Sequence, residues 1–290
     1  MKIAVILVNY NGLSDTLECI ESVKKCNSDT VIFVVDNGSK NDETIEIQNK
    51  YPDVQTIRCE KNLGFAGGNN VAIKKALDGD FEYIMLLNND TIVDKNFISH
   101  LIENVDEHTV ALPNMFYYDH PKELWFGGGV IHRFSGKVSH LHRTDSKPYE
   151  INFATGCCVM VHRSVFERCG LLSEEYFMYC EDMDFSIRLQ QMGIKIMMQP
   201  TAKIWHKVAK SSPKNGNAFR IYYNTRNRLI LVKKFASYFT VFTLPYIKLT
   251  STTKMFLAKI RGKNDVYTAF NNAMIDYKKY LFKENLHDNV

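Results

Sequence analysis

The sequence lacks the cysteine pairs that are typical of disulfide-rich and zinc-binding proteins. Its seven cysteines form no Cys-x-x-Cys motif and are scattered through apolar segments. A disulfide framework or a structural zinc site requires thiols at regular short spacings. We therefore expect reduced, mostly buried thiols in a cytosolic protein.

Long apolar runs are also missing. The run at residues 3–8 is too short for the apolar core of a secretion signal, and no small-residue cleavage site follows it. The apolar interval between Lys234 and Lys248 is shorter than the ~20 residues of a membrane-spanning helix and contains Pro245. We interpret the first run as a buried strand and expect no transmembrane helix.

Acidic residues are absent between Lys207 and Lys263, a stretch that contains thirteen basic residues. The formal net charge of the chain is only +4, so this stretch is a strong local asymmetry. Such a basic block faces an anionic partner, which can be a phosphate group, a membrane or a nucleic acid.

The first half alternates short apolar runs with amphipathic segments, a pattern typical of βαβ units around a parallel sheet. We expect Ser14 to cap the first helix and Asp94 to cap the helix that follows the fourth strand. The predicted strands are residues 3–8, 31–35, 54–58, 83–87, 157–162 and 194–198, the last followed by a short run at 202–205.

Two of these strands end in acidic turns, at Asp36 and Asp90. Open α/β sheets bind ligands at such strand ends, although solvated turn residues have the same composition. A glycine-rich stretch at residues 62–70 precedes a predicted helix and would let a backbone approach a bound group. Its spacing is neither G-x-G-x-x-G nor a P-loop.

Three carboxylates gather at Glu181, Asp182 and Asp184, with Arg188 one helical turn beyond Asp184. Like charges resist being placed together unless a ligand or counter-ion uses them. If a helix begins near Asp182, Glu181 and Asp182 lie at its entrance, where they either act on a ligand or merely cap the helix.

Two regions are less regular. Residues 110–150 predict short strands and loops, in which His132, His140 and His142 are interpreted as loop residues rather than metal ligands. Beyond Pro213 the pattern predicts long helices at 219–235, at 239–260 with an interruption at Pro245, and at 266–282. Their basic, aromatic composition fits either a helix lying on an anionic membrane or an ordinary helical subdomain.

With these parts in hand, the chain resembles the bacterial family-2 glycosyltransferases, in particular their rhamnosyltransferase-like branch. The matching motifs occur in the family's order, at residues 8–12, 34–39, 62–69, 86–90, 155–158, 177–184, 205–206 and 222–227. Each motif is short, and together they cover most of residues 1 to about 230. The last sixty residues match nothing diagnostic.

The resemblance implies an α/β fold of the GT-A type, with a mostly parallel central sheet, over residues 1–212 and a C-terminal helical extension over 213–290. It implies an inverting transfer from a UDP- or dTDP-sugar, with rhamnose suggested by the branch, to a hydroxyl of a lipid-linked or polysaccharide acceptor. The expected cofactor is Mg²⁺ or Mn²⁺, and the expected location is the cytoplasmic face of the cell membrane.

The resemblance also assigns roles to individual residues. Asp182 matches the catalytic base, supported by Glu181 and Arg188, and Asp36 matches the residue that holds the base and ribose of the donor. The metal site would contain Asp90, Asn88 and His206, where Asn88 replaces the first aspartate of the family's D-x-D motif. The full set of expected donor-binding residues is Asn9, Asn11, Asp36, Asn62, Gly64, Gly67, Asn69 and Asn89.

Two alternatives to a glycosyltransferase stay open at this point. A sugar nucleotidyltransferase shares the sheet and acidic strand ends, but usually has glycines and a basic residue directly after the first strand, where this chain has Asn9-Tyr10-Asn11-Gly12. A non-catalytic protein that binds nucleotide sugars or polyanions would use the basic block. Nucleic-acid binding is not expected, because the basic residues are interleaved with long apolar runs.

Overall fold

The computed structural model describes residues 2–26, 28–143, 145–208 and 216–287. The chain divides into two compact units. The first contains Met1–Val130, His140–Phe177 and Glu181–Ser211, and the second contains Ile131–Ser139, Met178–Cys180 and Ser212–Val290. The predicted domain boundary at 212 lies outside the described residues.

The first part of the chain forms alternating strands and helices, as the hydrophobic pattern predicts. Strand β1 is buried along nearly its whole length, as expected of a strand covered on both faces. The elements are β1 (Ile3–Asn9), α1 (Leu13–Lys24), β2 (Thr30–Asp36), α2 (Glu43–Lys50), β3 (Gln55–Arg58), α3 (Gly64–Asp78) and β4 (Tyr83–Leu87).

The middle of the chain adds shorter strands and helices. They are β5 (Thr91–Val93), α4 (Phe97–Ile102), β6 (Thr109–Tyr117), β7 (Leu124–Phe126), β8 (Gly129–His132), β9 (Lys137–His140), β10 (Tyr149–Ile151), β11 (Cys158–His162), α5 (Arg163–Cys169), α6 (Glu181–Gln191) and β12 (Lys195–His206). A 3₁₀ turn at Glu174–Tyr176 precedes α6.

The central sheet has the order β10-β12-β6-β11-β4-β1-β2-β3, with β5 paired to β12 and β7 paired to β6. Strands β1 to β4 are mutually parallel, β12 is parallel to β6, and β10 and β11 are antiparallel to their neighbours. This mixed, mostly parallel sheet with flanking helices confirms the predicted fold class. The carboxyl ends of β1, β2 and β4 therefore meet at one edge.

The prediction of short strands and loops after residue 110 is wrong at β6, a nine-residue strand within the sheet. Pro113 and the buried Asn114 interrupt its apolar pattern. Pro113 has no N–H to donate, and it lies opposite the irregularity of β12 between Gln199 and Lys203. The two segments predicted at 194–198 and 202–205 are consequently one strand, β12, which bulges at this point.

Three predictions of helix starts are also wrong in detail. Gly12, rather than Ser14, precedes α1, and Asn96, rather than Asp94, precedes α4, in both cases without a side-chain cap. The glycine-rich stretch does not lead up to a helix but forms the first turns of α3, so Gly67 and Asn69 are helical. A β-carbon at Gly68 would lie 2.9 Å from Val8 Cγ1, so glycine lets this helix pack closely on β1.

In its described residues, the second unit contains most of the β8–β9 hairpin, Ile131–Ser139, and three helices, α7 (Gly216–Lys234), α8 (Thr243–Ile260) and α9 (Asn264–His287). These confirm the predicted C-terminal helices, but Pro245 does not interrupt one. It lies in the first turn of α8, where a helix needs no N–H from it. Among the described residues, no helix has the length and apolarity needed to cross a membrane.

All seven cysteines lie in described residues, and none forms a disulfide. Six of them are buried, and Cys59 is partly exposed. Burial raises the pKa of the Cys19 thiol to about 12, which keeps it protonated at neutral pH. The prediction of mostly buried thiols is confirmed.

Candidate active site

Asp36 ends β2 and is fully buried. Its Oδ1 accepts a hydrogen bond from Ser39 N at 2.9 Å, and its Oδ2 accepts from Glu43 N at 3.3 Å and from an Arg58 guanidinium nitrogen at 2.8 Å. The turn after the strand thus encloses the carboxylate. The nucleobase of a nucleotide sugar could therefore contact Asp36 only after a neighbouring group, such as the partly exposed Arg58 side chain, moves aside.

Asn9 and Asn11 hold the β1 loop against the β2 loop. The Asn9 Nδ2 donates to Glu43 Oε2 at 2.6 Å, and its Oδ1 accepts from Thr16 Oγ1 at 2.8 Å. Asn11 has a positive φ of 51°, and its backbone N–H donates to Ser39 Oγ at 2.8 Å. Both asparagines therefore shape this edge through bonds within the protein.

The predicted donor-binding residues of the glycine-rich stretch fix the start of α3. Asn62 Oδ1 accepts from Gly64 N at 2.8 Å, and Asn69 Nδ2 donates to Phe65 O at 2.9 Å. Gly64 has a φ of 76°, and a β-carbon there would lie 2.2 Å from Phe177 O. Phe65 N donates to the same carbonyl at 2.7 Å, so the start of α3 is attached to the segment before α6.

The turn after β4 carries Asn88, Asn89 and Asp90. The Asn89 Nδ2 donates to Thr16 Oγ1 at 2.8 Å, and Thr16 in turn donates to Asn9, which links this turn to the β1 loop. Asn88 O accepts from Thr91 Oγ1 at 2.7 Å. The ends of β1 and β4 are therefore joined by a chain of polar side chains.

Asp90 and His206 are brought together, although they are far apart in sequence. Asp90 Oδ1 lies 3.1 Å from His206 Nε2, and each side chain is only 6% exposed. The antiparallel pairing of β5 with β12 places His206 opposite Thr91 and thereby beside Asp90. Such a buried carboxylate–imidazole pair can share a proton or ligate one cation.

The environment of His206 favours a positive charge or a cation. Burial alone lowers the pKa of an imidazole, but the adjacent Cys157 sulfur and Asp90 carboxylate outweigh it and raise the pKa of His206. Burial raises the pKa of the Cys157 thiol, so we take Asp90 as the anionic partner. His206 Nδ1 has no hydrogen-bond partner within the described part of the chain.

The Asp90–His206 pair fits one side of a divalent-cation site. Two ligands about 2.1 Å from one ion, at right angles, are about 3.0 Å apart, close to the observed separation. The described residues contain no group of three histidine, cysteine, aspartate or glutamate side chains that could hold a metal by themselves. A cation at Asp90 and His206 would therefore need further oxygen ligands, such as those of a bound diphosphate.

Glu181 and Asp182 open α6, as predicted. Glu181 is buried, its Oε2 has no hydrogen-bond partner among the described residues, and burial together with the Asp182 charge raises its pKa well above 4.5. Asp182 is partly exposed and accepts a 2.8 Å bond from Met183 N. Burial raises the pKa of Asp182 to about 6, although the N–H groups of Met183 and Gly156 oppose the increase.

Residues 156–157 connect the two parts of the site. Gly156 N–H bonds to the Asp182 carboxylate, and the next residue, Cys157, lies beside His206. The predicted base and the Asp90–His206 pair are therefore in one neighbourhood of the first unit.

Arg188 pairs with Asp184 and with backbone carbonyl groups. Its Nε donates to Asp184 Oδ1 at 2.6 Å, and its guanidinium nitrogens donate to the carbonyl groups of Cys169, Gly170 and Leu171. The predicted pairing with Asp184, one turn away, is confirmed. These contacts tie α6 to the end of α5, and none of them is to Asp182.

An aromatic cluster beside His206 was not predicted from the sequence. The Trp125 ring centroid lies 4.6 Å from that of His206 and 5.0 Å from that of His140. Burial lowers the pKa of His140, which favours its neutral form. This aromatic cluster forms because β7 and β12 pair with opposite edges of β6, and no short-range sequence pattern predicts that pairing.

The three histidines of this region were expected to be loop residues. His140 ends β9 and His132 ends β8, so only His142 is a loop residue as expected.

Comparison with known proteins places these features in a family. Residues 4–170 match the Glycosyl transferase family 2 domain. The chain is 26% identical, over 79% of its length and 74% of the relative, to the low-salt glycan biosynthesis hexosyltransferase Agl10 of Haloferax volcanii. It is 24% identical, over 80% of each chain, to the dTDP-rhamnosyl transferase RfbF of Shigella flexneri.

A solved structure supports the same fold. The crystal structure of GalNAc-T7 with UDP, GalNAc and Mn²⁺ is similar with a TM-score of 0.67 and 17% identity, over 80% of this chain and 48% of that one. Since the family match covers more than half of the chain, this protein belongs to glycosyl transferase family 2.

Proposed function

We propose that this glycosyltransferase inverts the anomeric carbon as it moves a sugar from a UDP- or dTDP-sugar to a hydroxyl group of a lipid-linked or polysaccharide acceptor. The observation that carries the proposal is Asp182, a partly exposed carboxylate with a pKa of about 6, held beside the segment that contacts His206. Such a group is ionised at neutral pH and is basic enough to accept the proton of an attacking hydroxyl.

The neighbouring carboxyl group supports this assignment. The raised pKa of Glu181 favours its protonated form, so Asp182 carries the negative charge of the pair. In a single displacement, the base must lie on the side of the sugar opposite the leaving group. Asp182 would take the proton from the acceptor hydroxyl as the bond from its oxygen to the sugar forms and the bond to the nucleoside diphosphate breaks.

Asp90 and His206, with the neighbouring Asn88, would hold Mg²⁺ or Mn²⁺. When bound there, such an ion neutralises the negative charge that develops on the diphosphate leaving group. The 3.1 Å separation of Asp90 Oδ1 and His206 Nε2 fits two ligands on one ion. Mn²⁺ and UDP named with the GalNAc-T7 structure are consistent with this part of the proposal.

The names of the relatives suggest which class of sugar the donor carries. One is a hexosyltransferase of glycan biosynthesis, and the other is a dTDP-rhamnosyl transferase. We therefore propose a hexose or deoxyhexose donor, with dTDP-rhamnose as the first candidate, and a role in cell-surface glycan synthesis. We also propose that the protein works at the cytoplasmic face of the cell membrane, where a lipid-linked acceptor is available.

A donor screen tests the reaction. The purified protein is incubated with Mg²⁺ or Mn²⁺ and a panel of UDP- and dTDP-sugars, and released nucleoside diphosphate is measured. We expect slow hydrolysis of one donor that is lost with EDTA and in the Asp90→Ala variant. Donor binding without release would mean that an acceptor is required, whereas a folded protein that binds no donor would contradict the proposal.

Two isosteric variants then test the base. With donor and acceptor present, Asp182→Asn is expected to lower the transfer rate by about 10²- to 10⁴-fold while donor affinity is retained. Glu181→Gln is the matched control, since it mimics the protonated form and should retain most of the rate. Full activity in Asp182→Asn would remove this residue as the base.

A further inference from the structure

Helix α8 buries mainly small residues and exposes several large apolar ones. Its buried residues are Thr243, Ser251 and Ala258, together with the larger Ile247. Globular proteins normally place the large apolar side chains of a helix towards the core. The exposed large apolar side chains include Phe242, just before the helix, at 67%, and Leu249 at 69%, Phe256 at 61% and Ile260 at 67% within it.

These exposed side chains form one stripe. Phe242, Leu249 and Phe256 are spaced by seven residues and Ile260 follows four later, so at about 100° per residue they share one face. At about 1.5 Å per residue, the stripe is about 27 Å long. Phe134 in the β8–β9 turn is 52% exposed, and its ring centroid is 5.1 Å from that of Tyr246 on α8.

Exposed basic residues lie beside the stripe. By helical geometry, Lys248 and Lys259 lie along one side of it, about 80–100° around the helix from its centre, whereas Lys254 lies nearer the buried face and Arg261 follows just beyond the helix. The sequence contains no acidic residue between 207 and 263. An apolar stripe with positive charge beside it matches the interface of an anionic bilayer, in which acyl chains lie beneath negatively charged headgroups.

We propose that this α8 face, defined by Phe242, Leu249, Phe256, Ile260 and their neighbouring basic residues, docks on an anionic lipid bilayer. The apolar side chains would enter the boundary between headgroups and acyl chains, and the basic side chains would contact lipid phosphates. A second copy of the chain is a poorer occupant, because a two-fold contact through this face would bring two surfaces of the same positive sign together. The inference deepens the membrane location within the proposed function and does not depend on the donor sugar.

Vesicle co-sedimentation of the full chain tests the inference. We expect binding to vesicles of phosphatidylglycerol and phosphatidylcholine, little binding to phosphatidylcholine alone, and weaker binding at about 0.5 M salt because the attraction is screened. The double variant Leu249→Glu/Phe256→Glu should weaken partitioning by at least about tenfold. The matched control is Ile45→Glu/Met192→Glu, which places the same charges at exposed apolar positions of the first unit and should bind like the parent.

Two further measurements separate the possible failures. Donor hydrolysis in solution should be the same in the parent and in both double variants. If the parent hydrolyses no donor, that result counts against the proposed reaction and not against lipid binding by α8. Circular dichroism checks that each variant is folded. Equal vesicle binding by the two double variants would overturn the inference, as would a parent dimer in light scattering that only Leu249→Glu/Phe256→Glu dissociates.

Discussion

The carboxyl groups of Asp182 and Asp184, two residues apart, differ in how well the protein compensates their negative charge. Asp184 is fully buried and accepts hydrogen bonds from Tyr176 at 3.1 Å and from Arg188 at 2.6 Å, so its negative charge is compensated. Asp182 is stabilised by backbone N–H groups, and burial raises its pKa to about 6. The ionised form of Asp182 therefore destabilises the folded state, a condition typical of a functional carboxylate.

This contrast predicts opposite effects of two similar substitutions on stability. The pKa of Asp182 rises from its ordinary 3.8 to about 6, so the folded state prefers the protonated form. The resulting penalty is absent below pH 4 and complete above about pH 6, where a shift of about two units corresponds to at most about 3 kcal/mol. Asp182→Asn should therefore increase the free energy of unfolding in urea at pH 8, and by less at pH 5.

Asp184→Asn is the comparison, because it leaves the Arg188 guanidinium without its carboxylate partner. Removal of one member of a buried ion pair costs about 3 kcal/mol or more, so this variant should be less stable than the parent at pH 8. If Asp182→Asn were destabilising to a similar degree, Asp182 would be a structural cap of α6 instead of a strained functional group.

At the scale of elements, strands and strand ends were predictable where a short-range pattern determines them. Strands β1, β2 and β4 are continuous apolar runs, and the turns that follow them place Asp36 and Asp90 at one sheet edge as expected. Strand β6 was missed because Pro113 and Asn114 interrupt the pattern, and their tolerance depends on the bulge in a strand about ninety residues later. The contact of Trp125 with His206 was missed for the same reason, since it requires β6 and β7 to assemble with β12, a strand much later in the chain.

The segment that precedes α6 has an unusual backbone. Phe177, Tyr179 and Cys180 all have positive φ values, of 61°, 67° and 76°. Within the second unit, the buried Asn227 compensates for part of this strain, because its Nδ2 donates to the carbonyls of Met178 at 2.8 Å and Tyr179 at 2.9 Å. The 222–227 motif that the sequence singled out thus includes a residue that fixes the backbone just before Glu181.

Gly64 offers a test of how the start of α3 supports this segment. Gly64→Ala should destabilise the protein by more than the about 1–2 kcal/mol expected for a positive φ, because the new β-carbon would lie 2.2 Å from Phe177 O. Gly193→Ala is the matched control, since its φ is 70° and nothing lies within 4 Å of the added carbon. Thermal unfolding of both variants measures the difference, and equal losses of stability would mean that the contact with Phe177 is easily relaxed.

For the whole molecule, the two units differ in the ligands that their surfaces suit. The residues assigned to the donor, the metal and the base, including Asp36, Asp90, Asp182 and His206, all belong to the first unit. The second unit contains α8, with its exposed apolar stripe and neighbouring basic residues. Both proposed ligands present phosphate oxygens. A nucleoside diphosphate is small and is bound with a cation, whereas a bilayer is extended and is bound through apolar side chains.

Hydrogen exchange of the intact protein should therefore respond in different places to the two ligands. UDP or dTDP with Mn²⁺ should slow exchange near residues 9–12, 36–41, 62–66 and 88–90, because binding stabilises the loops at the sheet edge. Phosphatidylglycerol vesicles without nucleotide should slow exchange in α8, and phosphatidylcholine vesicles should not. The Leu249→Glu/Phe256→Glu variant should lose only the vesicle response, and Asp90→Ala only the response that requires Mn²⁺. Protection of α8 by nucleotide alone, with no effect at the sheet edge, would contradict the assignment of the two ligands to separate units.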